Sequence, residues 1–187
     1  MRPVTVAITG GIAAGKSETL AAFARHGAAT ASSDAVVHDL LERDEEVRAA
    51  IRERWGDDAV GNRQRIGEIV FHDRAELQWL EQLLHPRTRE TIDSWVQSVD
   101  APLAAVEIPL LYETGGESRF DAVVVVTAPP DTRGQRRTVD DDREARLIPD
   151  EEKVQRADFS YVNDGSLEAL DAFVAGVVEK LLSSSAG

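Results

Sequence analysis

The chain has 187 residues, 42% of them hydrophobic and none of them cysteine, which suits one globular domain with a sizeable core and excludes a disulfide framework and thiolate chemistry. Lys and Arg number 21 against 34 Asp and Glu, a net charge of −13; such a surface repels phosphate backbones and anionic lipid, so no nucleic-acid and no membrane partner is expected. No apolar run approaches the roughly 20 residues that span a bilayer, and Met1-Arg2-Pro3 leads into a strand without a signal-peptide pattern, so a cytoplasmic location is expected.

Val4 to Ile8 is a short β-branched run, the signature of a buried parallel strand. A glycine loop follows, Gly10-Gly11-Ile12-Ala13-Ala14-Gly15-Lys16-Ser17, and then helix formers from Glu18 to Ala24. Ala28 to Ser32 reads as a weak second strand. Asp34 to about Glu42 reads as a helix with Asp34 as its N-cap, and Asp44 to Trp55 as a charged amphipathic helix closed by Gly56. From Ile66 to Gln97 the pattern predicts two or three helices, broken by Pro86. Leu103 to Ile108 is a strand ended by Pro109. Ala122 to Val126 is the strongest strand signal, and the polar run from Asp140 to Glu144 reads as a solvated lid tip rather than a calcium loop. Phe159 to Val162 makes a last strand, and Leu167 to Leu182 a closing helix capped by Ser166.

The glycine loop fits G-x-x-x-x-G-K-[ST], the phosphate-binding loop of P-loop proteins. Glycines let the backbone turn inward so that several N–H groups face one anion. Lys16 adds a full positive charge near the β- and γ-phosphates, Ser17 offers a hydroxyl to Mg²⁺, and the helix behind them presents the positive end of its dipole. ATP and Mg²⁺ are the expected cofactors.

Strands alternating with helices predict an α/β fold: a P-loop NTPase-type three-layer sandwich with a five-stranded parallel sheet. Ligands then sit beyond the C-terminal strand ends, which gathers the loop, Ser32 to Asp34, the segment after Ile108 and the turn after Val126 on one rim. The stretch from about 35 to 100 has no strand and is too long for a simple crossover. It predicts a helical substrate-binding subdomain inserted into a core of about 1–34 and 101–187, with a short lid at about 136–150, in a single domain of 187 residues. No Asn-Lys-x-Asp guanine-reading motif is present, so a small-molecule kinase is favoured over a GTPase. Asp34 sits where such a kinase receives its acceptor hydroxyl, to accept the proton and aim the oxygen; a plain N-cap role stands beside that reading. Four scattered histidines and no cysteine give no transition-metal site. Trp55, Trp79 and Trp95 read as packing anchors rather than base-stacking platforms, and Arg63 and Arg65 as surface residues within reach of an anionic acceptor.

Further blocks occur in one order with that loop: Ser33-Asp34-Ala35-Val36-Val37-His38, Leu84-His85-Pro86, Ile108-Pro109-Leu110-Leu111-Tyr112-Glu113, Glu151-Glu152-Lys153, Arg156-Ala157-Asp158 and Asn163-Asp164-Gly165-Ser166. Over nearly the full chain the pattern resembles the dephospho-coenzyme A kinase family. The resemblance implies ATP-dependent phosphorylation of the ribose 3′-hydroxyl of dephospho-coenzyme A. It puts Asp34 in the place of the catalytic aspartate, and gives the ATP phosphates to Gly11, Ile12, Ala13, Ala14, Gly15, Lys16, Ser17 and Glu18. It assigns His85 and Pro86 to the coenzyme-binding subdomain, Leu110, Leu111 and Glu113 to the acceptor site, and Asn163 to the adenine. Arg136 and Arg143 match lid arginines that clamp phosphate, Arg143 as a catalytic residue, with Arg146 a third lid arginine. The chain departs from the family at Ser32, where an aspartate is frequent, at Leu147, where a glutamine is frequent, in a short lid, and at Glu18, which replaces a threonine. Another small-metabolite or nucleoside P-loop kinase, or a nucleotide-binding protein with weakened catalysis, stays open; oligomeric state and nucleotide preference are not encoded in any motif.

Overall fold

The computed structural model describes residues 2–129 and 148–184. The chain divides into two compact units, residues 1–32 with 96–187, and residues 33–95.

The first unit is built on five parallel strands, β1 (Val4–Gly10), β2 (Ala29–Ser32), β3 (Leu103–Glu107), β4 (Ala122–Thr127) and β5 (Phe159–Val162), in the order β2-β3-β1-β4-β5. β1 is central: Val6 sits opposite Ala105 on one side and Ala122 on the other. Alternate residues serve opposite faces, as the strand period of two requires. Val6, Ile8, Val124 and Val126 pack with Phe23 of α1 (Lys16–Arg25) and with Leu170, Val174 and Val177 of a C-terminal helix, Leu167–Ser184. Ala7, Val123 and Val125 pack on the other side with Leu111, Tyr112, Ile148 and Ala157. Helices therefore cover both faces, and the expected sandwich is observed. Gly10 ends β1 beside Val126 with φ +142°, where an added Cβ would lie 1.9 Å from the Val126 carbonyl oxygen. Only glycine fits that position.

The second unit is helical: α2 (Ser33–Arg43), α3 (Glu45–Trp55), α4 (Arg63–His72) and α5 (Arg74–Ser98), whose last residues belong to the first unit. Leu41, Val47, Ile51, Ala59, Ile66, Leu80 and Leu84 form its core. At the rim, Trp55 meets Trp79 edge-on at 4.9 Å, and Glu76 receives hydrogen bonds from the Trp55 indole at 2.7 Å and from both arms of Arg54. That pair of donors holds the Glu76 carboxyl below its usual range, Arg54 first.

Two local expectations change. Pro86 does not break the tract; it lies inside a continuous 25-residue α5, and the division falls at Asp73 instead. Proline removes one helical hydrogen bond and crowds the preceding turn, but Leu80, Leu84, Thr88 and Ile92 recur every fourth residue on one buried face and hold both halves in line. The Asp73 side chain accepts from the backbone N–H groups of Ala75 and Glu76, starting the helix there. Finally, Asp34 is not an N-cap. α2 begins at Ser33 directly from β2, which puts Asp34 inside the first turn. The cap at Ser166 forms as expected, and Asp44 caps α3 rather than belonging to it; each side chain accepts from the backbone N–H three residues on.

Candidate active site

β1 ends at Gly10 and hands the chain to a loop that runs to α1. Its shape needs positive φ at Ala13 (58°) and Gly15 (100°), and Gly15 caps α1 without a side-chain acceptor. The start of α1 thus has no side-chain cap from Gly15, and a glycine loop leading into a helix N-terminus is the arrangement that binds phosphate. Lys16 directs its ammonium at the loop's own carbonyls, 2.8 Å from Gly11 O and 3.3 Å from Gly10 O, so the cation is held over the loop. Ala14 is fully buried in the core, and its carbonyl accepts from Asn163 Nδ2 at 2.9 Å.

A cleft of about 390 Å³ opens on this loop, lined by Gly15, Lys16, Ser17, Glu18, Glu107 and Asn163 among others. That volume lies at the lower end of the range of small-molecule sites, about 300–1,000 Å³. At its floor the Ser17 hydroxyl donates to Glu107 Oε1 at 3.3 Å. Glu107 is the last residue of β3 and is only 8% exposed. Sequence reasoning missed it. The available signal was an acid closing an otherwise apolar buried strand, where a charge is expensive unless it serves a ligand.

Ser17 and Glu107 together offer hard oxygen donors and no nitrogen or sulfur, which suits Mg²⁺, an ion that keeps several waters and takes few protein ligands. Among the described residues no group of three or more His, Cys, Asp or Glu side chains is placed to hold a metal ion.

The remaining expected residues fall as follows. Asn163 is buried and lines the cleft, with Nδ2 donating to the Ala14 carbonyl, which braces the loop, and Oδ1 accepting from Gly165 N in its own turn. Glu18 lines the cleft and pairs with Arg25 at 3.2 Å. Asp34 is exposed in the first turn of α2, with no side-chain partner among the described residues. His85 is half-buried and Pro86 exposed on α5. In the segment after β3, Leu110 is exposed, whereas Leu111 is a core residue with no exposed surface, so its side chain packs rather than lines. Glu113 is engaged with Lys153 at 2.8 Å and accepts from Ile148 N at 3.1 Å. Lys153, on a short helix α6 (Asp150–Arg156), is fully buried, and its neighbour Arg156 lies over the Tyr112 ring and pairs with Glu117. Asp158 accepts from Val123 N at 2.8 Å and donates its own N–H to the Val123 carbonyl, fixing the start of β5. Arg65 pairs with Asp58 and Glu68, and Arg63 approaches His38. Arg136, Arg143, Arg146 and most of the expected lid lie outside the described residues.

The profile of the dephospho-CoA kinase family matches residues 4–169. A dephospho-CoA kinase of Bradyrhizobium diazoefficiens is 36% identical over 189 aligned positions, covering 94% of each chain. Among solved structures, TT1252 from Thermus thermophilus shares 31% identity with a TM-score of 0.81, over 97% of this chain and 99% of that one. A dephospho-CoA kinase from Campylobacter jejuni shares 25% identity with a TM-score of 0.72, over 97% and 98%. A loop shaped for polyphosphate and a likeness that runs almost from end to end lead to one conclusion: the chain belongs to the dephospho-CoA kinase family.

Proposed function

We propose that this protein transfers the γ-phosphoryl group of ATP to the ribose 3′-hydroxyl of dephospho-coenzyme A, the last step of coenzyme A synthesis, in the cytoplasm. The observation that carries the reading is the preformed loop from Gly10 to Ser17, with Lys16 over it and Glu107 beneath Ser17, in a chain of this family.

Phosphoryl transfer is loose, so the protein's work is positioning and charge stabilisation. The amides at the start of α1 and the Lys16 ammonium hold the β- and γ-phosphate oxygens. Ser17 and Glu107 are the side chains that would hold Mg²⁺, which would supply charge neutralisation at the phosphates. Asp34, two residues beyond β2, accepts the proton of the 3′-hydroxyl and aims its oxygen at phosphorus. We assign the helical stretch of about 35–100, including His85 and Pro86, to the coenzyme. Leu110 and Glu113 belong to the acceptor side of the sheet's rim. In that assignment Glu113 acts through Lys153 and Ile148, fixing the turn that carries Leu110. Arg136 and Arg143 are assigned to the transferred phosphate.

The test is ATP consumption with and without dephospho-coenzyme A, with the product identified by mass. Acceptor-dependent turnover and a product heavier by one phosphoryl group at the 3′ position are expected. Turnover with nucleosides or other metabolites and none with dephospho-coenzyme A overturns the assignment.

A further inference from the structure

Glu18 is a negative charge placed where polyphosphate binds. It stands in the first turn of α1, one residue after Ser17, and lines the same cleft. Unopposed, a carboxylate there repels the ligand that the loop attracts. It is not unopposed. Arg25, two turns further along α1, reaches back with Nη1 to Glu18 Oε1 at 3.2 Å, while its Nε donates to Asp171 Oδ1 at 2.9 Å. Asp171, on the C-terminal helix, also takes His26 Nε2 at 3.0 Å on its other oxygen. A planar guanidinium is thereby clamped between two acids, one of which faces the nucleotide cleft.

We propose that Arg25 is an electrostatic positioning residue for the nucleotide. It cancels the Glu18 charge beside the phosphate loop, and Asp171 and His26 hold it in the orientation that does so. The inference rests on the phosphate-binding reading of this cleft and deepens it: the site binds polyphosphate as though Glu18 were neutral, provided Arg25 stays in place. In a chain of net charge −13 such local cancellation matters, because the surrounding surface already opposes an anion.

A double-mutant cycle tests it, read as ATP affinity by calorimetry in Mg²⁺ with no acceptor present. Because both Glu18 and Arg25 are partly solvated, the expected effect is modest: Arg25→Ala weakens ATP binding about three- to fivefold. In a Glu18→Gln background the same change alters affinity by less than about twofold, since no charge is left to cancel. Arg25→Lys restores most of the affinity, and the Arg25→Ala defect shrinks at about 0.5 M KCl, as screening demands. Equal weakening in both backgrounds, or an unchanged affinity in Arg25→Ala, overturns the proposal; equal weakening would assign Arg25 to helix packing alone. Should Arg25→Ala unfold, Arg25→Gln in the same two backgrounds gives the same comparison. A protein that follows the expected cycle but phosphorylates no dephospho-coenzyme A would sink the proposed function and leave this inference standing.

Discussion

The two units bury polar groups in opposite ways. In the sheet unit, charged as well as neutral polar side chains lie deep: Thr9, Glu107, Lys153 and Asn163 are all nearly or fully buried, and each has a polar partner. Thr9 donates to the Pro109 carbonyl, Glu107 accepts from Ser17, Asn163 holds Ala14, and Lys153 holds Glu113. In the helical unit the buried polar side chains among the described residues, Ser33 and Thr88, are uncharged, and the cluster of Arg54 with Glu76 and Trp55 is only partly buried. Burying charge is costly, so a fold retains it where it builds chemistry. In the proposed function the sheet unit takes the nucleotide and the helical unit the acceptor.

The sharpest way to break that contrast is to remove chemistry from each unit in turn. Lys16→Ala and Asp34→Asn should each lower turnover by roughly 10² to 10⁴ with the melting temperature nearly unchanged, measured by steady-state kinetics and calorimetry. Lys16→Ala should also weaken ATP binding, whereas Asp34→Asn should leave it intact. Near-normal turnover in Asp34→Asn would take the acceptor assignment with it.

Next in size is Gly10→Ala. Its Cβ would meet the Val126 carbonyl at 1.9 Å, so a loss of about 3 kcal/mol in chemical denaturation, together with lost ATP binding, is expected. Trp79→Ala is its counterpart in the helical unit. The edge-on contact with Trp55 and the guanidinium of Arg54 over the ring are both lost, for about 2–3 kcal/mol. The KM for dephospho-coenzyme A should rise while the ATP affinity stays within about twofold of the parent. A matching loss of ATP affinity would erase the division of labour.

Pro86→Ala is a smaller and opposite test. Proline inside α5 removes a hydrogen bond, so alanine should stabilise the protein by about 1–2 kcal/mol. Any rise in the KM for dephospho-coenzyme A then measures what the proline contributes to binding. The smallest effect is in the pH dependence. Asp171 is held below the usual carboxylate range by hydrogen bonds from Arg25, then His26. A depressed folded-state pKa gives stability that is present above the unfolded carboxylate range and is lost as pH falls through the folded value. The parent should therefore lose more melting temperature than Asp171→Asn when taken from neutral pH to below about pH 4.

How legible each part was follows from the same contrast. β1 and β4 announced themselves because parallel strands buried on both faces must be apolar throughout. The loop was readable because its glycines and its lysine have fixed jobs at fixed spacing. Pro86 misled because local propensity says stop, whereas a buried residue at every fourth position says continue, and packing won. Asn163 could not be read as a loop brace from spacing alone, since its partner Ala14 is 149 residues away. Lys153 entered only as part of the Glu151-Glu152-Lys153 block, and its ion pair is with Glu113 of a distant turn. Glu107 was visible as an acid ending a buried strand, but its meaning needed Ser17 beside it.

The Asn163 tie also bears on biosynthesis. The nucleotide loop precedes its clasp by 149 positions, and that clasp, Asn163, directly follows the last strand of the sheet. A nascent chain halted before Asn163 lacks the bond that fastens Ala14, so the loop is braced only after all five strands have been made.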